Sequence, residues 1–277
     1  MIVVVKIITV NIEKGGTGKT TQVFNIGEYG AQNRKNKILL IDQDKSNNLS
    51  KRYSKYDVGL IREENTTNAL YKGMDVKPLH IHDNLDILMA GTDLSEIDTE
   101  IKDRVNNRLI LFSWITKNYD ELNAKYDYIL IDTHNDTTLI TQNAWAVSDV
   151  IIGVSDPSMD GFEALLKLGR DIEKLQAELV EVRTGESYMV AQYFILGNKL
   201  KHNTNSSREF REIIEKERNY LGSVQDKELV HIGNLDMIPL VEYAQDKKIF
   251  SEHKDFFKNT FKLYDKIFNI TDGKKAE

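Results

Sequence analysis

The stretch Glu13-Lys14-Gly15-Gly16-Thr17-Gly18-Lys19-Thr20-Thr21 stands between an apolar run, residues 2 to 11, and an amphipathic segment from about Thr20 to Gln32. That is a strand handing over to a helix. At such a junction glycines free backbone N–H groups to wrap a phosphate, and the helix N-terminus adds a favourable dipole. Lys19 is then placed to neutralise the outer phosphates of a nucleotide, and the Thr20 hydroxyl to coordinate magnesium. Gly15, Gly16, Thr17, Gly18, Lys19, Thr20 and Thr21 are the candidate phosphate-binding residues.

Outward from this loop, short runs rich in Val and Ile recur at residues 37 to 42, 85 to 89, 126 to 132, 149 to 154 and 188 to 197. Each reads as a strand buried on both faces. Between them apolar residues fall three and four apart, as in Leu109, Phe112, Ile115, Tyr119 and Leu122, or Leu165, Leu168, Ile172, Leu175 and Leu179. These are helical signatures. The alternation predicts an α/β fold, a doubly wound and mostly parallel sheet with helices on both faces, and the glycine loop after its first strand makes the expected fold one of the P-loop NTPase type. Ligands of such sheets sit beyond the carboxyl ends of the strands, so the loops after residues 11, 42, 132 and 197 are where function is expected.

The chain of 277 residues carries 40% hydrophobic and 29% charged residues, which suits one α/β domain with a sizeable core and excludes disorder for most of it. Residues 1–270 are expected to form that domain and 271–277 a polar tail. With no cysteine, disulfides, thiolate metal sites and cysteine-held iron–sulfur clusters are excluded, and an intracellular setting is expected. A net charge of -6 excludes a nucleic-acid binder that is basic as a whole. Any DNA contact must come from a local patch.

The phosphate loop lacks the glycine usual five residues before Gly18; Glu13 stands there, followed by Lys14. The string KGGTGKTT, residues 14 to 21, resembles the deviant Walker A box of the ParA/MinD superfamily of ATPases. That resemblance implies ATP and Mg2+ as cofactors, and a Lys14 that reaches across a homodimer interface to the partner's nucleotide, comparable in role to an arginine finger. Residues 38 to 50, ILLIDQDKSNNLS, resemble the second family box; Asp44 would position the attacking water and Asp42 support the magnesium shell. Lys45, Ser46 and Asn47 replace its usual Pro-Gln-Gly. Residues 126 to 133, YDYILIDT, resemble a Walker B strand with Asp132 as a magnesium residue, although His134 and Asn135 stand where relatives often carry prolines. By the same resemblance Asn198, ending the run FILGN, and Pro239, in IPLVEYAQDKKIF, would lie near the adenine. Catalysis would rest on Lys14, Lys19 and Asp44.

Two branches of the superfamily remain. One is a partition ATPase that dimerises around ATP, binds DNA nonspecifically, is stimulated by a centromere-binding ParB-like protein, and is cytoplasmic and nucleoid-associated. The other is a MinD-like ATPase of membrane surfaces. The first strand begins near residue 1, so a short partition protein without an N-terminal helix-turn-helix is expected. Lys199, Lys201, Arg208, Arg211, Lys216, Arg218, Lys247 and Lys248 are candidate DNA residues, interleaved with Glu209, Glu212, Glu215 and Glu217. The stripe Phe257, Phe261, Tyr264 and Phe268, flanked by lysines, could lie on a membrane but is expected to pack a last helix onto the sheet. Partition is therefore preferred over membrane placement. His80 and His82 are expected in a turn, and Trp114 and Trp145 in the core.

Overall fold

The computed structural model describes residues 4–53, 61–202 and 204–274. Eight strands form one sheet: β1 (Lys6–Asn11), β2 (Ile38–Gln43), β3 (Leu79–His82), β4 (Leu85–Leu88), β5 (Tyr128–Thr133), β6 (Val150–Ser155), β7 (Gln192–Leu200) and β8 (Tyr220–Gln225). Their order is β3-β4-β2-β5-β1-β6-β7-β8, and every pairing is parallel except β3 with β4.

The central strands alternate between two cores, as a period of two requires. Ile8, Val10, Ile38, Leu40, Tyr128 and Leu130 face the helix Lys19–Glu28 and the last helix, Lys254–Thr271, through Val23, Phe24, Tyr264 and Phe268. Ile7, Leu39, Ile41, Ile129 and Ile131 face the opposite layer, which includes Leu70, Ile97, Leu111 and Ala144. A third cluster fastens the helix Met159–Glu178 over β6 and β7 through Leu165, Leu168, Ile172 and Leu175. Trp145 is buried in it, while Trp114 packs half-buried on the second core.

Four sequence expectations need correction. His80 and His82 lie in a strand, β3, which pairs antiparallel with β4 and is held by an acidic partner for each histidine: Nδ1 of His80 is 2.8 Å from Asp86 of β4, and Nε2 of His82 is 2.9 Å from Glu28 at the end of the helix Lys19–Glu28. β8 was not expected at all, since at the sheet edge it is only half-buried and reads YLGSVQ. The helix expected through Leu109 to Leu122 is two helices, Ile110–Lys117 and Tyr119–Lys125, broken at Asn118, whose side chain donates back to the Trp114 carbonyl. The run expected as a strand from residue 188 enters the sheet only at Gln192. Residues 2 and 3 of the first expected strand, and 275–277 of the expected tail, lie outside the described residues.

Candidate functional site

Parallel register aligns the carboxyl ends of the strands. Val10 pairs with Asp132 and Asp42 with Asp132, which sets the two carboxylates side by side next to the loop leaving β1. That loop turns with positive φ at Gly16 and Gly18. A Cβ at Gly18 would stand 2.3 Å from the Asn198 amide nitrogen, so only glycine fits there. Asn198, at the carboxyl end of β7, donates to the Thr17 carbonyl at 2.7 Å and accepts from Gln22 at 3.1 Å. Next to it, Lys199 Nζ donates to the Gly16 carbonyl at 2.7 Å. The carboxyl end of β7, one strand in from the parallel edge of the sheet, thus braces the phosphate loop.

Above the loop lies a cavity of about 580 Å³ lined by Gly15 to Thr21, Asp44, Arg52, Lys199 and Asn234 among others. Lys19 is buried, its Nζ 3.3 Å from the Ile12 carbonyl. Burial pulls its pKa down, opposed by the fields of Asp132, Asp44 and Asp136. Asp42 accepts from the Asp44 backbone N–H at 3.0 Å and from Ser50 N–H and hydroxyl at 2.8 and 2.6 Å. It ties down the turn that carries Asp44, and burial pushes it up to about 6 despite those donors. In Asp44, burial opposes ionisation, but the Ser46 N–H and His134 Nδ1, each at 2.8 Å, prevail and hold the pKa below the usual carboxylate value. Asp132 is the contrast: it is 0% exposed, and neither oxygen makes a hydrogen bond of normal geometry among the described residues, although the Thr20 hydroxyl lies close enough to favour its charged form somewhat. Burial, reinforced by Asp42, drives its pKa well above the carboxylate range.

Lys14 lies at the rim. Its Nζ donates to Asp156 Oδ1 at 2.7 Å and to Ser158 Oγ at 2.6 Å, both in the loop after β6, so it is held within its own chain. Glu13, in the missing-glycine position, pairs with Lys167 of the helix Met159–Glu178. Pro239 caps the short helix Leu240–Tyr243; like Asn198, it is not among the cavity's lining residues. Two residues escaped the sequence reading. His134 was noted only as a replaced proline, yet it holds Asp44. Arg52 lies two residues beyond the second acidic box and reaches the loop at Thr21. A cation at the end of the short helix that follows an acidic strand end was the available signal.

Of the candidate DNA residues, Lys201, Arg208, Lys216, Arg218, Lys247 and Lys248 are exposed, whereas Lys199 is committed to Gly16. The stripe on the last helix faces inward, with Phe257, Tyr264 and Phe268 fully buried. Among the described residues no helix is long and apolar enough to cross a membrane.

A family model described as an AAA domain matches residues 5–182. The virulence plasmid ParA family protein of Chlamydia psittaci is 29% identical over 165 residues, covering 56% of this chain and 58% of that protein. The chromosome-partitioning ATPase Soj of Treponema pallidum is 29% identical over 173 residues, 60% of this chain and 63% of that one. The chain thus spans about three fifths of the length of the curated relatives it matches. Among solved structures, a plasmid partition protein of Borrelia burgdorferi bound to AMPPNP superposes with a TM-score of 0.73 at 21% identity, covering 93% of this chain and 99% of that one. The septum site-determining protein MinD of Pyrococcus horikoshii, complexed with Mg-ADP, gives 0.66 at 22%, covering 96% and 98%. At such identities these two likenesses establish the fold.

Proposed function

This chain belongs to the ParA/Soj/MinD family of AAA-domain P-loop proteins, and on that footing we propose that it is a magnesium-dependent ATPase of DNA partition. The single observation that carries the reading is the meeting of a glycine cradle, the buried Lys19, the hydrogen-bonded Asp44 and the orphaned Asp132 at one cavity. Two oxygens buried without a partner are costly unless a cation answers them, which fits magnesium with Thr20 and Asp132 as the residues that would hold it. Magnesium would supply neutralisation of charge on the phosphates during transfer. Asp42 supports that shell indirectly, by holding the Asp44 turn.

Backbone N–H groups of Gly15 to Thr20 cradle the phosphates, and Lys19 offsets the charge that builds on the outer oxygens. Asp44, kept ionised by Ser46 and His134, orients the attacking water. Lys14 leaves Asp156 and Ser158 to reach the nucleotide of a second copy, so turnover depends on an ATP-bound homodimer. Asn198 and Pro239 belong to the base side, with Asn198 acting through the loop it braces. Residues 1–270 act as one ATPase domain. The dimer binds DNA nonspecifically through exposed basic residues, is nucleoid-associated in the cytoplasm, and is released when a ParB-like centromere-binding partner stimulates hydrolysis. The buried stripe on the last helix argues against using that helix on a membrane, and so against the MinD-like alternative.

Asp44→Ala tests the chemistry. Losing one positioning group is expected to slow single-turnover hydrolysis by ~10²- to 10⁴-fold while ATP binding persists. Hydrolysis at the wild-type rate would remove Asp44 from the mechanism.

A further inference from the structure

Arg52 ends the helix Asn48–Arg52, which follows β2 and its acidic turn. Its guanidinium lies 4.8 Å over the Phe24 ring, and Nη2 donates to the Thr21 hydroxyl at 3.2 Å. Nε and Nη1 are buried and find no acceptor among the described residues. Asp132 acts on it only through its field, without forming an ion pair. Arg52 lines the same cavity as Gly15 to Thr21.

A buried guanidinium with two unanswered donors destabilises the fold that holds it. Stacking on Phe24 requires neither of those N–H groups, since the ring attracts the cation through its face. Helix capping does not require them either, because neither donates to a carbonyl. The contact that Arg52 does make points to its ligand. Thr21 closes the phosphate loop, and its hydroxyl is bracketed, accepting from Arg52 and donating to Asn234 at 3.1 Å. A planar fork of donors beside a phosphate loop matches the geometry of phosphate oxygens.

We propose that Arg52 is a nucleotide-binding residue, whose guanidinium grips the phosphate chain beside Thr21 within the same subunit. This rests on the nucleotide reading of the cavity and adds to it a cation in cis, distinct from Lys14 and from the lysine of the phosphate loop. It also explains the orphaned donors: they are completed by the ligand. In the free protein the guanidinium is a liability, and in the complex it is an anchor.

Arg52→Met retains an apolar stem against Phe24 and removes the charge and the donors. The melting temperature without nucleotide and the affinities for ADP and a nonhydrolysable ATP analogue are measured by calorimetry. The expected result is a nucleotide-free melting temperature no lower than wild type, together with a loss of affinity for both ligands of about tenfold or more, the scale of one charge-assisted contact. Arg52→Lys, which keeps charge without the fork, is expected to recover part of the affinity, a rescue that a packing role would not give. Wild-type affinity in Arg52→Met, or a melting temperature several degrees lower, would overturn the proposal. A wild-type protein that binds neither ligand would instead overturn the nucleotide reading itself.

Discussion

Asp42 and Asp132 are neighbours in register, but they carry different burdens. Asp42 has three hydrogen bonds from the Asp44 turn and Ser50, whereas Asp132 has none among the described residues. A group whose pKa is raised on folding costs stability once the pH exceeds its unfolded value, so Asp132 weakens the nucleotide-free protein at neutral pH. Asp132→Asn is therefore expected to raise the melting temperature without ligand by ~2 to 4 °C, with the gain shrinking as the pH falls toward the ordinary carboxylate range. The same variant should lose the magnesium dependence of nucleotide affinity. Scanning calorimetry at neutral and acid pH checks the first effect; a lower melting temperature at neutral pH would mean that the carboxylate is satisfied. The positions of Asp42, Asp44 and Asp132 were legible because the motif reading and the strand ends coincide. Their differing hydrogen bonding was not, since it depends on the turn formed by Lys45 to Asn47, where the usual residues are replaced. Arg52 and His134 were hidden for a related reason: each acts through a contact with a residue distant in sequence, Thr21 or Asp44, that spacing cannot reveal.

Among elements, the strands most readable in the sequence were those buried on both faces, where β1, β2, β5 and β6 must be nearly continuous in Val, Ile and Leu. β3 and β8 occupy the two edges of the sheet and need fewer apolar residues, so their signal is weak. β3 is secured by side-chain bonds. Glu28, buried near the end of the helix Lys19–Glu28, accepts from Tyr53 at 3.0 Å, from Gln32 at 2.8 Å and pairs with His82 of β3. The bond to Glu28 raises the His82 pKa against the opposing effect of burial, with Glu242 adding to the rise. A raised histidine pKa gives stability that is fully present below the unfolded value and is lost as pH rises through the folded one. Between pH 6 and 8 the wild type is expected to lose up to about 1 kcal/mol that His82→Gln does not lose, the scale of a partly exposed ion pair. Denaturant melts at both pH values decide this; parallel pH profiles for the two proteins would show that the pair contributes nothing.

For the molecule as a whole, an acidic chain presents isolated basic residues, and the site latches Lys14 in cis. In the proposed account ATP releases that latch and joins two copies, so two weak basic patches act on one duplex and affinity rises through effective concentration. Contacts to phosphates are sequence-independent and fall steeply with salt. The most direct measurement is retention of the purified protein on unrelated DNA duplexes with ATP, with ADP and without nucleotide, at low and moderate salt, alongside anionic liposomes and Lys14→Ala. The account predicts strong retention with ATP only, independent of sequence, sensitive to salt and lost in Lys14→Ala. Equal retention in all nucleotide states, or ATP-dependent liposome binding without DNA binding, would contradict it.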